Sequence, residues 1–250
     1  MSDSVAAPRA PGFRYYDLMV VGMVTVLLCS NLIGPAKVGT LELPLIGALS
    51  FGIGNLFFPI SYIFDDVLTE VYGYSRSRRA IWVGFAALMF ASAMTFVILN
   101  MPASPDEPYN TTLQPALEVA FGSTWRIVLA SMVGYWVGDF ANSYVMAKMK
   151  LWTKGRWLWT RTIGSTVVGE GLDSLTFYPI AFAGIWSGTT MAKVIAFNWT
   201  MKVLVEVVLT PVTYAVVGFL KRREGIDVYD TDTDFTPFSL RDEGELSRPR

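Results

Sequence analysis

Residues 162–186 read TIGSTVVGEGLDSLTFYPIAFAGIW, an apolar stretch that carries two carboxylates, Glu170 and Asp173, near its middle. About 20 helical residues cross the hydrocarbon core of a bilayer, which is about 30 Å thick. Charged side chains at that depth are rare and usually mark a substrate or ion path. The stretch therefore predicts a membrane-spanning helix with one face on the path of a polar substrate or ion.

Five other apolar stretches have a similar length, so the sequence predicts an all-α, polytopic membrane protein with six transmembrane helices. The predicted spans are 16–34, 44–64, 80–100, 125–147, 162–186 and 193–220. Helix is expected in each, because lipid offers no hydrogen-bond partner to an unpaired backbone group. The composition agrees: 16% of the residues are charged, against about 25% in a typical soluble domain.

Basic residues concentrate on one face of these predicted spans. Thirteen Lys and Arg residues flank the spans on that face, and three lie on the other. By the positive-inside rule, both termini are predicted to be cytoplasmic. We expect a disordered N-terminus over 1–14, a transmembrane domain over 15–223 and a disordered cytoplasmic tail over 224–250, which is rich in Asp, Thr and Ser. A short helix is expected over 113–121, in the loop after span three.

Five ionisable side chains fall within the last three predicted spans: Asp139, Glu170, Asp173, Lys202 and Glu206. Each costs about 2.5–3.5 kcal/mol or more when it faces lipid, so we expect all five to face the bundle interior. Spans five and six run in opposite directions. The rise of a helix therefore puts the four ionisable residues of these two spans at a similar depth.

Four acids against one base leave three carboxylates that need protons, cations or a ligand. A buried salt bridge that only holds helices together is the structural alternative. No enzyme is expected. Ser–His chemistry is excluded because the chain has no His, and the run before Asp139 has Trp136 where an aspartyl intramembrane protease needs glycine. No metal or cofactor is expected, and the net charge of −1 gives no sign of a nucleic-acid partner.

Several motifs resemble one family in order along the chain, from about Tyr16 to Lys221. They are DVLTEVYGY at 66–74 with RRAIW at 78–82, RIVLAS at 126–131, GEGLDS at 169–174, and Lys202-x-x-x-Glu206-x-x-x-Thr210-Pro211-x-x-Tyr214. This set resembles the signature of the queuosine precursor transporter family, also called the vitamin uptake transporter-like family. The resemblance implies a fold similar to the substrate-binding S-components of energy-coupling-factor transporters. It also implies import of a 7-deazaguanine, such as 7-cyano- or 7-aminomethyl-7-deazaguanine, across the inner (cytoplasmic) membrane for queuosine in tRNA.

The expected substrate-binding residues combine the polar groups inside the spans with aromatic faces. They are Asn31, Asp66, Asp139, Asn142, Glu170, Asp173, Phe177, Trp199, Lys202 and Glu206. One carboxylate accepts from the guanine-like edge, while Lys202 or Asn31 donates to the ring carbonyl.

Several alternatives stay open at this point. The solute is a deazaguanine or another vitamin-like or nucleobase compound, and a pure proton or cation pathway is a rival. Asp66 and Glu70 either line the site or only flank span two. The sequence leaves undecided whether the chain forms a homo-oligomer or works with a separate energising module.

Overall fold

The computed structural model describes residues 13–32, 38–43, 47–52, 57–122 and 125–239. Within these residues the chain forms seven helices: α1 (Tyr16–Leu32), α2 (Phe58–Tyr72), α3 (Tyr74–Asn100), α4 (Asn110–Phe121), α5 (Trp125–Trp152), α6 (Leu158–Phe182) and α7 (Gly188–Glu224). A two-stranded antiparallel hairpin, β1 (Val38–Leu43) and β2 (Gly47–Gly52), separates α1 from α2. The described residues are therefore predominantly helical, as predicted, with this hairpin as the exception.

The prediction of one continuous helix over 44–64 is wrong. Residues 47–52 form β2, and α2 begins only at Phe58. Two glycines in β2 disfavour a helix, because glycine loses more backbone entropy there than other residues. In β1, Leu41 and Leu43 alternate with polar residues, which is the period of a strand. Average hydropathy reports how apolar this segment is, but not whether its apolar residues alternate as in a strand.

The other predicted spans coincide with helices, and so does the short helix expected over 113–121, which lies in α4. By length and composition alone, α3 and α7 are apolar enough to cross a membrane among the described residues, and α4 with α5 adds a third if they form one bent span. Helix α1 is apolar but shorter. The structure thus supports a membrane protein, while the number of crossings stays a prediction.

Both ends of the helical part meet at one end of the bundle. The backbone N–H of Tyr15, just before α1, donates to Glu224 at the end of α7 at 2.7 Å. Arg161 at the start of α6 donates to Glu70 near the end of α2. We call this the basic end, because Lys150, Arg161 and Lys221 of the predicted cytoplasmic face meet there.

Residues 225–239 pack across the basic end. Val228 and Asp230 are 0% and 2% exposed. Lys150 donates to the carbonyl of Val228 at 2.7 Å, and the Trp82 indole N–H donates to the carbonyl of Pro237. Burial raises the pKa of Asp230, although its carboxylate accepts hydrogen bonds from the Tyr74 amide.

The structure thus differs from the disorder predicted for 224–250, as far as residue 239. Phe13 and Arg14, within the predicted N-terminal disorder, also contact the bundle. Composition misled here, because much of the docking uses backbone carbonyls of the tail rather than apolar side chains. Arg78, for example, donates to the carbonyls of Asp234 and Thr236, both at 2.7 Å. Residues 1–12 and 240–250 lie outside the described residues.

Candidate substrate site

Lys202 of α7 lies between two carboxylates of α6. Its Nζ is 2.5 Å from Glu170 Oε2 and 2.7 Å from Asp173 Oδ2. The three side chains are 15%, 18% and 26% exposed, so they are largely enclosed but still reachable. Their predicted proximity is confirmed, and we call them the Lys202 cluster.

Close packing of α5 on α6 fixes the position of Asp173. A Cβ on Gly138 would lie 2.9 Å from the Cβ of Asp173, and one on Gly134 would lie 2.6 Å from Asp173 Oδ1. Only glycine leaves room for this approach, as small residues do at membrane helix contacts generally. Glu170 and Asp173 are three residues apart and therefore share a face of α6.

A second pair of carboxylates lies one helical turn closer to the basic end, between α2 and α7. Asp66 and Glu206 are 1% and 0% exposed, and their side chains lie close enough to act electrostatically on each other. Asp65 is buried as well and acts electrostatically on Glu170 and Glu206. Sequence reasoning missed Asp65. Its spacing of three residues from Tyr62, which faces the Lys202 cluster, was the available signal.

Asp139 and Asn142 reach the same region from α5. The Tyr135 hydroxyl donates to the Ile81 carbonyl at 3.3 Å, and the Asp139 carboxylate acts electrostatically on Tyr135, Glu170 and Asp173. The Cβ of Asn142 packs against Gly169 of α6, and Asn142 Oδ1 is buried without a donor among the described residues. Both residues thus lie beside the Lys202 cluster, as expected.

Aromatic side chains line α6 beyond the Lys202 cluster. Phe177 and Tyr178 contact each other edge to face, with ring centroids 5.1 Å apart. Phe182 and Trp186 are stacked at 3.9 Å with nearly parallel rings. Tyr178 is close enough to Lys202 and Asp173 to interact with them electrostatically. Sequence reasoning named Phe177 but not Tyr178.

Two expected site residues make other contacts in the structure. The Asn31 amide donates within its own helix, to the carbonyl of Leu27 at 2.9 Å and to the hydroxyl of Ser30 at 3.2 Å. The Trp199 indole N–H donates to the carbonyl of Val167 at 2.9 Å, and its side chain is 37% exposed. No described hydrogen bond joins either residue to the Lys202 cluster, although the Trp199 ring lies against Gly171, the neighbour of Glu170.

Glu70 belongs to the basic end rather than to the Lys202 cluster. Arg161 donates two hydrogen bonds to its carboxylate, at 2.7 and 2.8 Å. Lys221 donates a third at 2.5 Å, and Lys150 donates to the Glu70 carbonyl at 2.6 Å. Asp227 of the tail completes this network by pairing with both lysines.

The interior of the bundle holds many more acids than bases. Six carboxylates and one lysine act on one another there among the described residues: Asp65, Asp66, Asp139, Glu170, Asp173, Glu206 and Lys202. Such a set attracts a cationic or donor-rich guest, because hydrogen bonds to ionised groups are stronger than those between neutral groups. No group of three or more metal-ligating side chains within the described residues is arranged to hold a metal ion.

Comparison with known proteins agrees with a transporter. The family model described as "Putative vitamin uptake transporter" matches residues 52–216. The "Probable queuosine precursor transporter" of Bacillus subtilis (strain 168) is 32% identical over 207 residues, 82% of this chain and 85% of that protein. The "Queuosine precursor transporter" of Escherichia coli (strain K12) is 24% identical over 168 residues, 66% of this chain and 71% of that protein. No solved structure matches the chain. Because the family model covers more than half of it, the chain belongs to the vitamin uptake transporter family.

Proposed function

We propose that this chain imports a 7-deazaguanine precursor of queuosine across the cytoplasmic membrane. Family membership and two relatives that bear the name queuosine precursor transporter support the proposal. The observation within the molecule that carries it is the position of Lys202, held 2.5 and 2.7 Å from two carboxylates that remain partly exposed.

The Lys202 cluster offers the groups that a guanine-like edge requires. Such an edge presents a ring N–H and an amino group side by side, and one carboxylate accepts both in a forked pair. We assign this role to Glu170 or Asp173. The ring carbonyl next to that edge needs a donor, and Lys202 supplies it, since an ammonium has three N–H groups.

Charge and shape favour the same class of guest. The Lys202 cluster has one cation for two carboxylates, so an aminomethyl ammonium would neutralise its remaining charge. A planar ring needs aromatic faces, and Phe177 and Tyr178 lie within about two turns of Glu170 on α6. Stacking on such a face contributes about 1–3 kcal/mol per base.

In the membrane we propose six crossings, made by α1, α2, α3, α5, α6 and α7, with both termini in the cytoplasm. Helix α2 has 15 residues and spans about 22 Å, less than the hydrocarbon thickness of about 30 Å. The short helix α4 lies outside the membrane on the far side from the basic end.

Isothermal binding to the purified protein tests the proposal. We expect saturable binding of 7-cyano- or 7-aminomethyl-7-deazaguanine and none of biotin or riboflavin. Lys202→Met and Asp173→Asn each remove one charge-assisted hydrogen bond, worth about 1.5–3 kcal/mol, and should weaken binding about tenfold to a hundredfold.

Glu118→Gln is the matched control, because Glu118 lies exposed on α4 and bonds only to Gln114 among the described contacts. Its affinity should equal that of the wild type. Melting temperatures of all variants separate lost binding from lost folding. Unchanged affinity in both Lys202→Met and Asp173→Asn would remove the proposed site, and equal binding of unrelated vitamins would remove the proposed substrate.

A further inference from the structure

Asp66 of α2 and Glu206 of α7 are two acids that face each other. The described ion pairs, in contrast, each join an acid to a base. Both side chains are buried, at 1% and 0% exposed, and they lie close enough to act electrostatically on each other. No described residue donates a hydrogen bond to Asp66 Oδ2 or to either carboxylate oxygen of Glu206. A buried polar group without a partner is costly, so two ionised carboxylates are unfavourable at this position.

The charged groups that face this pair do not neutralise it. Asp65 and Glu70 act on it from α2 and Glu170 from α6. The lysine of the same region, Lys202, is held by Glu170 and Asp173. The cations of the basic end are held in the same way by Glu70 and Asp227.

One proton accounts for the contact. Two ionised carboxylates are acceptors only and repel each other, whereas a protonated carboxyl donates one O–H to its ionised neighbour. A carboxyl–carboxylate pair of this kind therefore holds one proton. A carboxylate takes this proton up from the surrounding water and can release it there again, and no other covalent bond of the protein changes.

The pair also lies on a continuous polar line through the bundle. Tyr62, Asp66 and Glu70 are spaced by four residues along α2, so they share one face at intervals of about 6 Å. Tyr62 faces the Lys202 cluster, and Glu70 faces the basic end. The Asp66–Glu206 pair thus stands between the candidate substrate site and the predicted cytoplasmic side.

We propose that the Asp66–Glu206 pair is a proton-binding site that couples substrate import to the inward movement of a proton. This rests on the proposed function and supplies its energy source. Glu170 links the two sites, because it contacts Lys202 in one and acts electrostatically on Glu206 in the other. A bound substrate that changes the contacts of Glu170 therefore changes the electric field at the Asp66–Glu206 pair.

Proteoliposomes that contain the wild-type protein test the coupling. The membrane potential is clamped with potassium and valinomycin, the outside is made one pH unit more acidic, and entry of labelled 7-cyano-7-deazaguanine is followed together with an internal pH dye. For one proton per neutral substrate, this gradient supports about tenfold accumulation. The dye should report acidification of the interior only when the substrate is present.

Glu206→Gln and Asp66→Asn keep the size of each side chain but remove the shared proton site. In both variants, internal substrate should not rise above the external concentration when the outside is made acidic, because no proton enters with the substrate. Asp106→Asn, in an exposed loop, should accumulate substrate like the wild type. If a variant fails to fold, proton uptake or release on ligand binding by the wild-type protein in weakly buffered detergent provides the second measurement.

Accumulation that ignores the pH gradient, follows a sodium gradient instead, or persists unchanged in Glu206→Gln would overturn the coupling. So would ligand binding by the wild type without any exchange of protons. Wild-type protein that binds no deazaguanine would defeat the proposed function instead, so the two failures are distinguishable.

Discussion

Glu70 and Glu206 are both fully buried carboxylates, yet their surroundings are opposite. Glu70 accepts hydrogen bonds from Arg161 and Lys221, whereas the Glu206 carboxylate accepts none from the described residues and faces the acids Asp66 and Glu170. Loss of the Glu70 charge would leave the buried Arg161 guanidinium without an anion, which destabilises a fold strongly. The same residue type therefore has a structural role at the basic end and a proposed functional role in the interior.

Glu70→Gln should destabilise the protein strongly. The substitution keeps the shape of the side chain but leaves the Arg161 guanidinium, which is 1% exposed, without its anion. Breaking one partner of a buried pair typically costs about 3–5 kcal/mol. The melting temperature in detergent measures this effect, with the exposed Asp106→Asn as control. Equal melting temperatures for Glu70→Gln and the wild type would show that the basic end does not depend on this pair.

The positions of some site residues were predictable, because the rise per residue of a helix fixes their depth in the bundle. Glu170, Asp173 and Lys202 meet because they lie on antiparallel helices at matching heights, and the sequence contains that information. For the other residues, the rotation of each helix about its axis decides which neighbours a side chain meets. That rotation depends on how the helices pack. Trp199 therefore donates to the Val167 carbonyl of α6, while Asp65, which sequence reasoning missed, is buried.

Among the elements, the hairpin and the tail show where hydropathy reasoning fails. Apolar content predicted a helix over 44–64, although the local pattern alternates as in a strand. Low apolar content predicted a disordered tail, although residues 225–239 dock through carbonyls that accept from Arg78 and Trp82. Both failures have one cause: composition does not record which backbone groups find partners elsewhere in the chain.

Gly138→Ala should loosen the packing of α5 on α6 and disturb the site with it. The new Cβ would lie 2.9 Å from the Cβ of Asp173 and 3.2 Å from the Gly169 carbonyl, closer than such atoms normally approach. Overpacking of this kind costs about 1–3 kcal/mol, and it moves Asp173 away from Lys202. We expect a lower melting temperature and weaker deazaguanine binding.

Gly188→Ala is the matched control for this substitution, because a Cβ there meets nothing within 4 Å. Its melting temperature and affinity should match those of the wild type. If Gly138→Ala behaves in the same way, α5 and α6 can separate without cost, and the glycine contact does not position Asp173.

Deletion of residues 226–250 should lower the melting temperature, whereas deletion of 240–250 alone should not. The longer deletion takes away Asp227 and Val228, which supply two of the three acceptors of Lys150. It also leaves the buried Arg78 guanidinium without the two carbonyls that it contacts. Parallel melting of both truncated chains in detergent measures the effect. Equal stability of the two truncated chains would show that the tail rests on the bundle without supporting it.

At the scale of the whole molecule, charge is sorted by depth. Acidic side chains dominate the interior of the bundle, and basic side chains gather at the end where both termini of the helical part meet. Among the described helices, α6, which carries Glu170 and Asp173, does not meet a simple hydropathy criterion for a membrane span, whereas α7, which carries Lys202 and Glu206, does. Hydropathy alone therefore does not find every helix of the candidate site, because a transport site puts polar groups where a purely structural span has none.

The basic end should face the cytoplasm, since positively charged loops are retained there during insertion. Cysteine labelling tests this in a Cys29→Ser background, which removes the one cysteine of the chain. Asp106→Cys, after α3, should react with a membrane-impermeant maleimide in sealed right-side-out vesicles. Arg156→Cys, exposed between α5 and α6 at the basic end, should react only after the membrane is opened with detergent. The reverse pattern would invert the topology, and the Asp66–Glu206 pair would then lie between the substrate site and the outside.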